Sequence, residues 1–490
     1  MGIILLIIYF LSLSFILLYS LIQLHLIFLF WSKKRKTKIV VNNQETFHPL
    51  VTIQLPIYNE LYVVERLIDS VCQFDYPLDR LEIQILDDST DETSDIIAKK
   101  VSQYKNQGIK IQHIQRSNRE GFKAGALAYG LKHCKGEFIA VFDADFVPNT
   151  DFLSNTLAYF KNEKIGVVQT RWEHLNEHHS FLTEMQALAL DAHFSVEQLG
   201  RNLGNHFINF NGTAGLWRRE CIESAGGWQA DTLTEDLDLS YRAQLKGWEF
   251  RFLEHIGTPA ELPVAMNALK SQQFRWTKGA AECARKNLGR VLRSKDVSPI
   301  SKLHAIFHLL NSGIFICVFL ISILSVPLFF IKLYSPEYNK IFSLGSIFFV
   351  STGIVTLFFW TAYQSTKGFS IKSFLVFAFK FPIFLAVSMG LALHNGLAVV
   401  EGYIGKKTPF IRTPKFNIEH NQNSWQKNRY LKKKIHPITI IEVLLTLYFS
   451  AGIGCAFYWS DFSMFIFHCF LVVGYGLVSF YSLSHLRKIG

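Results

Sequence analysis

Cysteine is scarce and scattered in this sequence. The 490 residues include 7 cysteines, none of them in a CxxC pair, and several lie inside apolar runs. Disulfide frameworks and cysteine zinc sites need defined cysteine spacings, so neither is predicted. The chain also lacks an internal repeat and a low-complexity segment.

Histidines give no clear metal signature either. Four of them share one region, but no tight pair at ligand spacing comes with a carboxylate partner, and we expect surface or supporting roles for His174, His178, His179 and His193.

Charge is absent from the start of the chain. Ile3 to Trp31 contains no charged residue and no small-residue cleavage site, and a basic cluster begins at Lys33. This predicts a retained membrane anchor over residues 1–32 rather than a cleaved signal. Basic residues stay on the cytoplasmic side, so a basic linker at 33–49 predicts that the following domain is cytoplasmic.

Later apolar runs are each long enough to cross a hydrocarbon core of roughly 30 Å. They occupy 305–331, 341–363, 373–400, 438–459 and 462–484. The basic C-terminus is also expected inside, which requires an even number of crossings, so one of the five runs should not cross. We predict that 373–400, which contains Lys380, Pro382 and His394, is re-entrant or interfacial.

These patterns predict a multi-pass protein of the plasma (inner) membrane or its equivalent. The first predicted part after the linker is a polar cytoplasmic domain at 50–262, followed by an amphipathic interfacial segment at 263–302. A bundle of about four crossings follows at 303–490, and it includes a basic cytoplasmic loop at 401–437. The net charge of +11 is concentrated near the membrane segments. Anionic lipid and a phosphate-bearing substrate explain it, and no nucleic-acid partner is expected.

The polar domain begins with alternating strands and helices. The runs Val51–Pro56, Leu81–Leu86, Ile109–Gln115 and Phe138–Phe142 are rich in strand-forming residues, with helix-compatible stretches between them. This order predicts an α/β domain with a mostly parallel sheet. Ligands of such sheets bind at the carboxyl ends of the strands.

Polar residues follow these strands. Pro56-Ile57-Tyr58-Asn59-Glu60 follows the first strand, Asp87-Asp88 the second, and Asp143-Ala144-Asp145 the fourth. Two carboxylates at a strand exit suit a hard cation, Mg²⁺ or Mn²⁺, that also binds a diphosphate. The alternative is a solvated turn or helix cap.

Three further motifs bear on phosphate and sugar chemistry, each with a simpler alternative. Gly121–Ala126, with Lys123, suits a phosphate at a helix start or an ordinary glycine turn. Thr234-Glu235-Asp236, taken alone, favours an acidic first helical turn capped by Thr234 over a catalytic base. Gln272-Gln273-Phe274-Arg275-Trp276 suits a pyrophosphate and a sugar ring, or a helix lying on the membrane.

Taken in order, the motifs PIYNE, DDS, GFKAGAL, DAD, TED and QxxRW resemble those of the processive family-2 inverting glycosyltransferases, which include the cellulose, mannan and hyaluronan synthases. The stretches Gln169–Trp172 and Phe210–Gly215 are most similar to cellulose-synthase-like mannan and glucomannan synthases. The resemblance covers about residues 50–290. It implies a GT-A-like domain inserted between transmembrane helices.

The resemblance implies roles for individual residues. Asp236 would be the general base, with Glu235 and Asp238 as nearby alternatives, and Asp143 and Asp145 would hold the metal. Residues that would bind the nucleotide sugar are Pro56, Tyr58, Glu60, Asp88, Lys123 and Asp143. Acceptor or donor contacts would come from Gln272, Arg275, Trp276, Glu235 and Thr234. A gating loop would include Phe410, Arg412, Thr413 and Lys415, unless this is an ordinary solvated loop.

Three functions remain open at this stage. The first is a polymerase that adds hexose from a UDP- or GDP-sugar, with UDP-glucose or GDP-mannose expected, to a β-linked polysaccharide and exports it, alone or with an export or regulatory subunit. The second is a ceramide-type lipid glycosyltransferase that adds one sugar. The third is a non-catalytic scaffold, against which the intact acidic motifs argue.

Overall fold

The computed structural model describes residues 2–34, 47–408, 411–418, 425–426, 428–431 and 435–488. The polar domain is built on one seven-stranded sheet. Its strands are β1 Val51–Ile57, β2 Leu81–Asp87, β3 Ile111–Gln115, β4 Phe138–Val141, β5 Ile165–His174, β6 Gly215–Arg218 and β7 Glu249–Ala260.

The sheet has the order β3-β2-β1-β4-β6-β5-β7 and is mostly parallel, as predicted. Only β6 runs antiparallel to its neighbours, β4 and β5. The first four strands begin and end within a few residues of the predicted positions, because each is a short run with β-branched or aliphatic residues, and β1, β2 and β4 are largely buried. The chain order reverses between β1 and β4, where ligands of open α/β sheets bind.

Helices cover the sheet and flank the domain. In chain order they are α1 Gly2–Lys33, α2 Val64–Cys72, α3 Thr93–Asn106, α4 Phe122–His133, α5 Phe152–Leu157, α6 Phe181–Ala192, α7 Leu199–Leu203, α8 Arg219–Ser224, α9 Glu235–Gln244, α10 Met266–Arg293, α11 Pro299–Leu309, α12 Gly313–Tyr334, α13 Asn339–Leu344, α14 Phe349–Lys367, α15 Ile371–Gly390, α16 Ala392–Ile404, α17 Pro437–Tyr458 and α18 Phe465–Lys488.

Six helical segments among the described residues are long and apolar enough to cross a membrane. They are Gly2–Lys33, Gly313–Tyr334, Pro336–Lys367, Ile371–Gly390, Pro437–Tyr458 and Phe465–Leu486. The apolar run at 305–331 is divided, because α11 ends at Leu309 and α12 begins at Gly313.

The run at 373–400 is also divided, between α15 and α16. The 20 residues of α15 are long and apolar enough to cross. By contrast, α16 lies directly against α10: a side chain at Gly402 would meet the Lys278 carbonyl oxygen at 2.6 Å. That the run is re-entrant or interfacial stays a prediction.

Glycines allow close contact between α15 and α18. A Cβ at Gly474 would lie 2.0 Å from the carbonyl oxygen of Ala386, and one at Gly390 would lie 2.4 Å from that of Gly474. Small residues let membrane helices approach until their backbones touch, which is a main source of packing energy in a bilayer. These glycines therefore fix how the last helix packs on the bundle.

We expect Gly474→Ala to destabilise the bundle, because its new methyl group overlaps the backbone of α15. Overpacking of this kind costs about 1–3 kcal/mol. Thermal unfolding of the detergent-solubilised protein should occur at a lower temperature than in the wild type. Gly476→Ala is the matched control on the same helix, since its nearest neighbour would be 3.7 Å away. Equal loss of stability in both variants would contradict the predicted packing.

Candidate active site

The predicted site residues line one cavity at the carboxyl ends of β1 and β4. All of the predicted site residues that the structure describes line this cavity. They are Pro56, Tyr58, Glu60, Asp88, Lys123, Asp143, Asp145, Thr234, Glu235, Asp236, Gln272, Arg275, Trp276, Arg412, Thr413 and Lys415. Phe410 lies outside the described residues. The sheet, α9, α10 and the segment 411–418 thus meet at one place.

Asp143 is held at the exit of β4 by contacts on two sides. Its backbone N–H donates to Thr213 Oγ1 at 2.9 Å. The ammonium of Lys123, from the first turn of α4, donates to Asp143 Oδ1 at 2.6 Å and to the Gly212 carbonyl at 2.9 Å. Burial lowers the pKa of Lys123, but the carboxylates of Asp143 and Glu235 outweigh it and hold the pKa above its ordinary value. Lys123 is therefore a fixed cation.

Asp145 is buried and paired with a lysine from the far end of the chain. Lys415 Nζ lies 2.6 Å from Asp145 Oδ2. The segment that carries Lys415 is fastened by Glu261, whose carboxylate accepts the backbone N–H groups of Phe416 and Asn417 at 2.8 Å each. Burial raises the pKa of Glu261 to about 7, although Lys415 opposes the shift.

The carboxylates of Asp143 and Asp145 have the chemistry of a divalent-cation site. Both line the cavity, and each already has a lysine cation against one oxygen. Carboxylate oxygens in a place that favours positive charge suit Mg²⁺ or Mn²⁺. Glu60 adds a third acid nearby, and burial raises its pKa to about 8 despite Arg412 and Lys415. These residues fit the predicted metal.

Asp236 is a half-buried carboxyl at the start of α9. Its Oδ1 accepts the Leu237 N–H at 2.8 Å. Burial, followed by the charge of Glu235, raises the pKa of Asp236 to about 7. A carboxyl with a pKa near neutrality is suited to accept a proton in a reaction. Thr234, considered as a helix cap, makes no side-chain capping bond.

Asp238, the other nearby acid, is engaged elsewhere. It is fully buried, and its carboxylate accepts Arg242 Nε and Asn287 Nδ2 at 2.9 Å each. It does not line the cavity. This arrangement favours Asp236 and Glu235 over Asp238 as the reactive acids.

Gly212 lies against the carboxylate of Asp236 and has a backbone that only glycine adopts readily. Its φ is +81°, and a Cβ there would lie 2.8 Å from Asp236 Oδ2. The Phe210–Gly215 stretch therefore places a bare backbone beside Asp236. The carbonyl oxygen of Gly212 also accepts the hydrogen bond from Lys123 Nζ.

The helix α10 carries Gln272, Arg275 and Trp276 into the cavity wall. Arg275 Nη2 donates to Thr413 Oγ1 at 2.9 Å. Trp276 lies beside Trp172 of β5, with 6.4 Å between ring centroids. Flat aromatic faces beside a guanidinium suit a sugar next to a phosphate.

Several cavity residues were missed by the sequence reasoning. Arg119 stacks on the Tyr58 ring, 3.3 Å from its centroid, and Arg116 Nε donates to Asp88 Oδ1 at 2.9 Å. Trp172 and Glu261 also line or support the cavity. Arg116 follows β3 directly, so its place at a strand end was a usable signal. Trp172 lies in the Gln169–Trp172 stretch, so its motif was a second usable signal. The contacts of Arg119 and Glu261 join distant segments and leave no local pattern.

Segment 411–418 reaches the first strand as well. Arg412 donates to the carbonyl oxygens of Tyr58 and Asn59 and lies 3.3 Å from Glu60 Oε1.

Of the four histidines in the 174–193 region, His174 contacts Asp191 at 3.2 Å and His193 contacts Glu197 at 2.9 Å, whereas the side chain of His178 is largely exposed.

Comparison with known families and proteins agrees with this geometry. Residues 48–279 match the model of "Glycosyltransferase like family 2". The chain is 40% identical over 265 residues to glucomannan 4-beta-mannosyltransferase 7 of Arabidopsis thaliana, covering 53% of this chain and 48% of the relative. It is 41% identical over 267 residues to glucomannan 4-beta-mannosyltransferase 1 of Cyamopsis tetragonoloba, covering 53% and 50%. The chain thus spans about half the length of these curated relatives.

A solved structure shares the fold. The mannosyltransferase PcManGT from Pyrobaculum calidifontis, in complex with GDP-Man and Mn²⁺, matches with a TM-score of 0.53 and 18% identity, over 81% of this chain and 100% of that one. The seven-stranded sheet, the matched family model and the ordered motifs lead to one conclusion. Residues 48–279 form a glycosyltransferase family 2 domain, flanked by helices that are long and apolar enough to cross a membrane.

Proposed function

We propose that the chain is a membrane-integrated inverting glycosyltransferase that adds mannose from GDP-mannose to the end of a growing 4-β-linked polysaccharide. The observation that carries the proposal is that Asp236, with its raised pKa, shares one cavity with Asp143, Asp145 and Arg275. The names of the curated relatives support mannose and the 4-β linkage. UDP-glucose is the second donor to test.

In the proposed reaction, Asp236 accepts the proton of an acceptor hydroxyl while that oxygen attacks the anomeric carbon of the donor. The bond between this carbon and the diphosphate oxygen breaks, and the nucleoside diphosphate leaves with the bonding electrons. Attack from the side opposite the leaving group inverts the anomeric configuration. Lys123 and Arg275 are cations placed to stabilise negative charge on the diphosphate.

Asp143 and Asp145 are the residues that would hold Mg²⁺ or Mn²⁺. When bound, the cation would neutralise charge on the leaving diphosphate. Lys415 pairs with Asp145 in the structure described here, so the segment 411–418 would have to release that carboxylate or share it with the cation. This segment is the proposed gating loop.

A long product is supported by the way α10 joins the domain to the membrane helices. Lys270, two residues before Gln272 on α10, donates to both oxygens of Glu442 on α17, at 2.9 and 2.7 Å. The acceptor wall is thus fastened to the bundle through which a polymer would leave. The transferase domain would lie on the cytoplasmic side of the plasma membrane or its equivalent, where nucleotide sugars are made.

The function is tested by incubating the solubilised protein with a panel of GDP- and UDP-sugars and Mn²⁺ or Mg²⁺. We expect release of GDP from GDP-mannose together with long mannose chains. Asp236→Asn should lower turnover by about 10²–10⁴, the usual contribution of a general base. Nucleoside diphosphate release and product length are measured together.

The control is Asp151→Asn, which changes an exposed acid outside the cavity and should keep full turnover. A chelator should abolish turnover and either cation should restore it. One sugar per added lipid would contradict the polymerase. Full activity of Asp236→Asn would remove this residue from the mechanism.

We expect kcat/KM to rise with pH through about 7, because the base must lose its proton and the pKa of Asp236 is raised to about that value. Glu235→Gln removes a negative charge that helps to raise the pKa of Asp236. The acidic limb of the profile should then move to lower pH. The exposed Glu220→Gln is the control and should leave the limb in place. A limb that stays fixed in Glu235→Gln would show that another group titrates.

A further inference from the structure

Three histidines from distant parts of the chain meet outside the catalytic cavity. His25 lies on α1, His206 follows α7, and His304 lies on α11. One ring nitrogen from each lies within 4.8 Å of the others. His25 Nδ1 is 2.8 Å from His304 Nε2, and the rings of His206 and His304 stack with centroids 3.9 Å apart. No sequence spacing links these residues.

The hydrogen-bonding capacity of this cluster is incompletely used. His206 Nδ1 contacts Ser301 Oγ at 2.9 Å, but His206 Nε2 is buried without a hydrogen-bond partner. His304 Nδ1 is likewise buried without a hydrogen-bond partner. The exposed fractions of the two residues are 7% and 1%. Buried polar atoms nearly always have a partner, so two such nitrogens in one cluster point to a missing ligand.

Burial, followed by the charges of His25 and Arg201, lowers the pKa of His206 to about 4. Burial, followed by His206 and Arg201, lowers the pKa of His304 to about 3. Both shifts disfavour the protonated rings, which agrees with the geometry of a cluster in which two buried ring nitrogens lack hydrogen-bond partners. The positive charge of Arg201 is matched by Glu197, which lies 2.6 Å away.

We propose that His25, His206 and His304 form a zinc site that fastens the first helix to the transferase domain and to α11. Three imidazole nitrogens with one water complete the tetrahedral coordination that Zn²⁺ prefers. At a zinc–nitrogen distance of about 2.0–2.1 Å, tetrahedral ligand nitrogens lie about 3.3–3.4 Å apart. On binding, the nitrogens of His25 and His304, which are 2.8 Å apart, would separate slightly, and one of the stacked rings of His206 and His304 would turn so that both lone pairs face the ion. Nitrogen ligands also separate this site from the carboxylates that suit Mg²⁺.

A structural role follows from where the three ligands lie. His25 is about two turns before the end of α1, and α11 leads directly into the second apolar helix, α12. One ion bound to all three would hold the anchor, the domain and the next membrane helix in a single arrangement. The site is distinct from the catalytic cavity, which none of the three histidines lines.

The test is zinc binding by the full-length protein in detergent. The protein is stripped with chelator, incubated with Zn²⁺ in excess Mg²⁺ to fill the carboxylate site, and dialysed. We expect one retained zinc per chain by elemental analysis. In His25→Asn the affinity should fall by more than about 100-fold, because loss of even an outer-shell partner reduces metal affinity by about 10–100-fold.

His25 is only partly buried, so His25→Asn should fold even if His206→Asn and His304→Asn do not. His178→Asn, at a largely exposed histidine, is the matched control and should keep the zinc. Retention of zinc by the wild type and this control, with loss in His25→Asn, supports the site. No zinc in the wild type, or equal zinc in His25→Asn, overturns the proposal.

Discussion

The charge pairing of two aspartates with two lysines is the constraint on which the rest of the site depends. Asp143 and Asp145 leave the sheet two residues apart and share a partly enclosed cavity with Glu60, Glu235 and Asp236. So many carboxylates cannot all be ionised there without cations. Lys123 and Lys415 supply this charge at 2.6 Å each, from α4 and from the segment near the end of the chain.

This pairing explains why distant parts of the chain converge. Lys123 also fixes the Gly212 backbone, which passes next to Asp236. Lys415 brings with it Thr413, which accepts a hydrogen bond from Arg275. The acid that would act as base and the helix that would bind the acceptor are thus both tied to the two aspartates. The apolar helix α17 fixes the other side of α10, through the ion pair of Glu442 with Lys270.

Much of this could be predicted from the sequence, for a physical reason. Strand ends carry polar residues directly after short buried runs, so local pattern alone placed Asp88, Asp143 and Asp145 at one edge. The order of the motifs then predicted that residues on α9 and α10 belong to the same site. Contacts between distant segments leave no such pattern, because they depend on tertiary packing. Examples are the hydrogen bonds of Glu261 to the backbone of residues 416–418, the stacking of Arg119 on Tyr58, and the histidine cluster. The breaks at 310–312 and Leu391 were also missed. Asn311 and Ser312 are turn-favouring residues that an apolar run judged by its overall composition passes over, whereas Leu391 is itself apolar.

The most direct test is a structure of the full-length protein with GDP and Mn²⁺. The charge pairing predicts that the diphosphate lies in the cavity beside Asp143 and Asp145, with Lys123 in place and Asp145 either released by Lys415 or shared between Lys415 and Mn²⁺. A nucleotide bound outside this cavity, or bound in it with the Lys415–Asp145 pair and both aspartates untouched, would contradict the account.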